Sequence, residues 1–234
     1  MSSGKRITAI RFLRYGISGR IEEAATVCSR EVRSEDSWSD DVVLEIMRLA
    51  LTWSGLRNKL MVANLKSVVV DQPALLPIRN LRRVVSKKID YGLCLQPDAE
   101  EEAMIENVLR NTSDELPSIS QSAVPILRKR ALFCNLEIKK PYGNQDPVPQ
   151  LGVWSMAGLT KLSNLARESQ AHMGESVFLE DPEITVFHGP FWNYDTGSII
   201  EIIFIVNALC EILRWGDTTF RTWLLSVISA LQTG

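Results

Sequence analysis

The sequence predicts a mainly α-helical protein, or an α+β one with three or four short strands in a small antiparallel sheet, closed by an apolar helical hairpin. Three observations carry this. Apolar residues recur at helical spacing along most of the chain, while period-two alternation is confined to short runs. The 234 residues are 45% hydrophobic and 23% charged, which is ordinary for a globular protein and enough to bury a core. Finally, the pattern yields about eight helices and three or four short strands, which favours a mainly helical or α+β domain over a wound α/β sheet, and no repeat of roughly 20–50 residues is evident.

Residues 5–15 mix apolar and basic side chains without a clean period and read as a strand or a docked arm. Because Arg6, Arg11 and Arg14 interrupt every apolar run there, no signal-peptide core of roughly 7–15 residues exists, and the protein is expected in the cytoplasm or nucleus, not secreted. A helix is expected over 20–32. The next is better marked: Ser39 caps it, Asp40 and Asp41 favour its first turn, Val42, Ile46, Leu49 and Trp53 form one stripe, and Gly55 stops it. Residues 56–70 read as a helix with a β-branched end, broken by the prolines of "DQPALLP". Ile78, Leu81 and Val85 have helix-like spacing, passing into a strand around 89–95. Asp98 then caps a helix to Asn111 with three glutamates in its first turn, and "ALFCNLEIKK" has strand composition.

The segment 141–152 is the best loop or linker. Within a single domain of 1–234 it offers the one place for a subdivision, between basic-leaning residues 1–140 and acidic-leaning residues 153–234. Beyond it, Leu159, Leu162 and Leu165 mark a helix, and Ile184, Val186 and His188 alternate as a short strand. The closing stretch 198–214 is interrupted by Glu201, Asn207 and Glu211, too polar and too short for the ~20 residues of a membrane span. It is apolar nearly all round, so it should be covered on both sides. Gly216 is expected to turn the chain into a second helix whose stripe is Phe220, Trp223, Leu224, Val227, Ile228 and Leu231. Trp215, Phe220 and Trp223 near that corner are the candidate contacts of a homo-oligomer, with packing onto their own domain as the alternative.

No catalytic residue, metal site, cofactor or small-molecule substrate is nominated. His172 and His188 have no cysteine or carboxylate at zinc-like spacing, and the carboxylates of "EEE" and "FLEDPE" read as a helix start and a solvated turn. Cys28, Cys94, Cys134 and Cys210 lie far apart and read as thiols of a reducing compartment. Charge is divided along the chain: residues 1–97 carry 16 basic against 10 acidic residues, 98–115 carry 1 against 7, 116–140 carry 5 against 1, and 141–234 carry 4 against 10. Arg79, Arg82, Arg83, Lys87 and Lys88 would form a basic row on a helix, Arg128, Lys129 and Arg130 a second patch, and Lys139 with Lys140 a third. A solvated basic face, or salt bridges from these residues to the acidic helix 98–111, is the alternative. The expectation is therefore a non-enzymatic assembly or adaptor protein that self-associates and holds nucleic acid or an acidic membrane surface, a profile shared by small viral structural and accessory proteins. A protein-only regulatory module and an enzyme assembled from distant residues are the alternatives.

Overall fold

The computed structural model describes the backbone of residues 3–79, 82–111, 117–139, 147–173 and 196–232, and the side chains of these from residue 16 onward outside 79–83 and 171–173. The chain divides into two compact units, Met1–Leu56 with Val186–Leu213, and Arg57–Thr185 with Arg214–Gly234. Helices predominate and a small antiparallel sheet accompanies them, as expected. Among the described residues, no helix is long and apolar enough to cross a membrane.

In the first unit, helix α1 (Ser3–Arg30) takes in the segment expected as a strand or arm. Once 20–30 is helical, each residue added at its N-terminal end gains a hydrogen bond without a new nucleation cost, and no proline intervenes. Ile21, Ala25 and Cys28 are its buried stripe. The next helix begins earlier than expected: Ser34 caps α2 (Glu35–Trp38) by accepting from the Ser37 N–H, and Ser39 lies inside a π-turn, Ser39–Val43, that leads into α3 (Leu44–Ser54). Val42, Ile46 and Leu49 are buried as the stripe requires, and Gly55 ends the helix at φ 74°. In α6 (Ile199–Trp215), Ile202, Val206, Cys210 and Leu213 are buried, with the Cys210 thiol donating to the Ala50 carbonyl at 3.5 Å. Ile200 and Phe204 stand 67% and 51% exposed, so the expectation of cover on both sides is not met within this unit.

The second unit is built on a meander of three antiparallel strands, β1 (Leu60–Asn64), β4 (Tyr91–Leu95) and β5 (Leu132–Leu136), in the order β1-β4-β5. Residues 56–70 are thus strand and coil instead of helix: Leu60 and Ala63 gain burial by pairing with Leu95 and Gly92 on a strand whose five residues are all buried, which outweighs local propensity. The helix expected from Ile78 is a two-residue hairpin, β2 (Ile78–Arg79) against β3 (Arg82–Arg83). Helix α4 (Ala99–Asn111) is capped as foreseen, Asp98 accepting from the Glu100 and Glu101 N–H groups while Glu101 reaches back to the Asp98 N–H at 3.0 Å.

Helix α5 (Val148–Met173) absorbs the end of the expected loop at 148–152, its Pro149 sitting in the first turn where a missing N–H costs nothing. Gly216 does not turn the chain. Gly216–Phe220 is a π-turn with right-handed backbone on both sides, at Trp215 and Arg221, and it runs on into α7 (Arg221–Gln232), so the two helices are present but the hairpin corner is not. Glycine is needed there for another reason: a Cβ would meet the Phe133 ring at 2.6 Å. The strand expected at 184–188 lies outside the described residues.

A register shift between Leu93 and Cys94 gives β5 an extra residue. It resets the alternation of side chains. Leu132 packs with Trp154 and Ala157 of α5, Phe133 turns to Trp215 and Phe220, and Asn135, three residues after Leu132, again faces α5 through Ser155. The residues that leave β5 after Asn135 inherit this phase.

Candidate active site

Asp90 and Glu137 lie immediately outside the last paired residues of β4 and β5, Tyr91 and Leu136, so antiparallel pairing delivers both carboxylates to one end of the sheet. The strand ends are tied there. The Asp90 N–H donates to the Leu136 carbonyl at 3.2 Å, and its carboxylate Oδ2 accepts the Ile138 N–H at 2.7 Å, which fixes the orientation of the acid. Lys139, two residues beyond Glu137 and so on the same side of an extended chain, places its Nζ 2.6 Å from Glu137 Oε1. Their side chains are only 15% and 4% exposed, and a buried pair of this kind keeps its geometry. Two residues before Glu137, the Asn135 Nδ2 meets the Ser155 hydroxyl at 3.3 Å, while its Oδ1 is buried with no hydrogen-bond partner among the described residues.

Helix α5 braces this arrangement from behind. Trp154 is fully buried and its indole N–H donates to the Lys87 carbonyl at 2.6 Å, pinning the coil that leads into Asp90. Roughly two turns further on, the buried Lys161 meets Gln72 Oε1 at 3.2 Å, and burial pushes its pKa down to about 8 against the pull of Glu168 and Asp71. No group of three or more His, Cys, Asp or Glu that would hold a metal occurs among the described residues.

The residues nominated from sequence are placed elsewhere. Arg79 and Arg82 are cross-strand partners in the β2–β3 hairpin, so the helical row they were expected to form with Arg83 and Lys87 does not exist; Lys87 and Lys88 are exposed on the coil before Asp90. Arg128 pairs with Glu106 at 3.2 Å, and Lys129 with Glu102 and Glu106 at 3.0 and 2.8 Å. The bridges to the acidic helix, the alternative weighed for this patch, are thus present. They hold the Glu106 carboxyl below its ordinary pKa, with Lys129 the largest cause. Phe220 is buried against Phe133, Trp215 and Trp223, and Trp215 keeps 46% of its surface. His188 and the His172 side chain lie outside the described residues.

A family model described as the PD-(D/E)XK nuclease superfamily matches residues 18–221, and the chain belongs to that superfamily. Neither a curated protein nor a solved structure gives a significant match. Membership overturns the expectation of a non-enzymatic assembly or adaptor protein, because the family is one of enzymes. Glu137-Ile138-Lys139 spells the (D/E)-x-K of the family name, with Asp90 as the acid before it; where the name has proline this chain has Ile89. The literal Pro97-Asp98 lies at the opposite end of β4, where Asp98 caps α4.

Sequence reading missed Asp90 and Glu137, and it grouped Lys139 with Lys140 by charge alone. The available signal was an acid and a lysine two apart at a strand exit, following an acid at the entry of an earlier strand.

Proposed function

We propose that this chain hydrolyses phosphodiester bonds of nucleic acid, assisted by a divalent cation of the Mg²⁺ type. The observation that carries the reading is the convergence of Asp90, Glu137 and Lys139 at one sheet end, with Asp90 locked by the Ile138 N–H at 2.7 Å. The donor set fits the ion: Mg²⁺ takes hard oxygens, and it is usually held by one or two carboxylates with the rest of its shell from water and substrate phosphate. Asp90 and Glu137 would hold it, and the buried Asn135 Oδ1 is a further oxygen of the right hardness close by in sequence. Such an ion supplies Lewis-acid polarisation of a phosphoryl oxygen and compensates its charge.

The chain's own residues do the rest. The Lys139 ammonium puts positive charge where negative charge grows on the phosphoryl oxygens as a water oxygen bonds to phosphorus and the bond to the leaving oxygen breaks. The water's proton passes to a base and the leaving oxygen takes one up, so the reaction consumes one water and yields a phosphate monoester end and a hydroxyl. Self-association and action inside the cell belong to the same proposal, supported by the exposure of Trp215 (46%) and by four cysteines that no disulfide joins.

The test is cleavage of end-labelled DNA and RNA by purified protein with Mg²⁺ and with EDTA. Cleavage in Mg²⁺ that EDTA abolishes is expected. Intact strands in both, from well-folded protein, would refute the reading.

A further inference from the structure

At the far end of β4 and β5 from the carboxylates, Pro97, Glu102, Pro125, Arg128, Lys129 and Arg130 line an open cleft of about 280 Å³. Its charges are not all answered in the same way. Lys129 is locked between Glu102 and Glu106, and Arg128 also leans on Glu106. Arg130 has no carboxylate among the described residues. Its Nε donates to Gln96 Oε1 at 3.0 Å and its Nη1 to the Ile126 carbonyl at 3.1 Å, which fixes the guanidinium plane while Nη2 makes no hydrogen bond among those residues. Three cations face the two carboxylates Glu102 and Glu106, so the cleft keeps an excess of positive charge.

A guanidinium pre-oriented by neutral acceptors, with donors left over, is suited to an oxyanion. The planar fork loses little entropy on binding, and no partner has to be displaced first. We infer that this cleft is a second phosphate subsite, with Arg130 as its anchor, that grips the nucleic-acid backbone at a distance from the bond being cut. The inference rests on the nuclease reading and deepens it. The distance follows from the sheet: Asp90 to Pro97, and Glu137 back to Arg130, are each seven residues of extended chain, about 23 Å at ~3.3 Å per residue. A strand rising ~3.4 Å per nucleotide covers this in about seven nucleotides. Short substrates reach one site only.

The measurement is fluorescence anisotropy of labelled 4-mer and 16-mer DNA with the full chain in EDTA, so that nothing is cut, over a range of salt. Arg130→Gln is expected to weaken binding of the single-stranded 16-mer about tenfold, to lower the slope of log K against log salt by about 0.7 for the lost contact, and to leave the 4-mer unchanged. Arg130→Lys, which keeps the charge, should retain the wild-type slope; this separates charge from misfolding. Unchanged 16-mer affinity and slope in Arg130→Gln would overturn the subsite, as would Arg130-dependent binding to phosphatidylserine vesicles but not to the 16-mer. Arg130-dependent binding by a protein that never cleaves would leave the subsite standing and sink the nuclease reading. Cleavage that is indifferent to Arg130 would do the reverse.

Discussion

Arg221→Met should be the most destabilising change of a charged residue in the second unit. The Arg221 guanidinium donates to Asp217 Oδ1 at 3.0 Å, to Glu101 Oε2 at 2.5 Å, and to the carbonyls of Lys59 and Gln96 at 2.6 and 3.4 Å. It thereby ties α7 to the start of α4, to the entry of β1 and to the exit of β4. The Glu101 and Asp217 side chains are only 13% and 9% exposed, and Asp217 keeps a second partner in Lys59 at 3.1 Å. Methionine replaces the apolar stem but leaves Glu101 as a largely desolvated charge without its cation, a loss of about 3–5 kcal/mol when a buried pair is broken on one side. For a unit of this size each kcal/mol moves the midpoint by about 2–4 °C, so a fall of about 6–20 °C is expected. The assay is thermal unfolding followed by circular dichroism. A double change, Arg221→Met with Glu101→Gln, should recover some of the loss because it removes the orphaned charge. A drop below about 2 °C in the single variant would refute the reasoning, since the network would then be no better than a surface pair.

Two further outcomes follow from single residues. Lys161 is charged at a burial cost below its folded pKa of about 8, and between there and its ordinary 10.5 the folded chain holds fewer protons than the unfolded one, so stability rises across that window. Lys161→Met should abolish this rise: its advantage in melting temperature over wild type at pH 7 should shrink towards pH 10, and a constant difference would contradict the burial argument. Val32 closes α1 at φ 49° with the Arg33 N–H on the Cys28 carbonyl at 3.0 Å, a left-handed position that costs a β-branched residue about 1–2 kcal/mol. Val32→Gly should therefore stabilise the protein by about 0.5–1 kcal/mol after the entropy of an added glycine, and a lowered midpoint would show that the backbone there is not strained.

What the sequence made legible was what local chemistry decides. The Asp98 cap, the stripe Val42-Ile46-Leu49 and the stop at Gly55 each depend on neighbours within a turn or two, and each is found in place. β1 was not legible, since five residues centred on Val62 become a strand only because β4 pairs with them. Gly216 reads as a stop by composition, yet its lack of a side chain serves the Phe133 ring, a contact made about 80 residues away. The site was hidden for the same reason. Asp90 and Glu137 are about 50 residues apart and meet only through the β4–β5 register, and the residue added at the bulge sets which way Glu137 and Lys139 leave the strand. Grouping residues by charge drew attention to Arg79, Arg82 and Arg83, whose helical row is absent, and joined Lys139 to Lys140 when its partner is Glu137.

Two aspartates, Asp90 and Asp98, stand at opposite ends of β4, and only one of them serves the proposed chemistry. Cleavage rates for Asp90→Asn and Asp98→Asn, measured side by side in Mg²⁺ with the folded fraction of each determined, address this directly. Asp90→Asn should lose at least about a hundredfold in rate, the scale of removing a group engaged at the reacting centre, with little change in stability. Asp98→Asn should keep its rate, because asparagine caps a helix nearly as well and Asp98 stands at the other end of β4. Full activity in Asp90→Asn, or its loss in a well-folded Asp98→Asn, would place the motif at Pro97-Asp98 and contradict the assignment of the site.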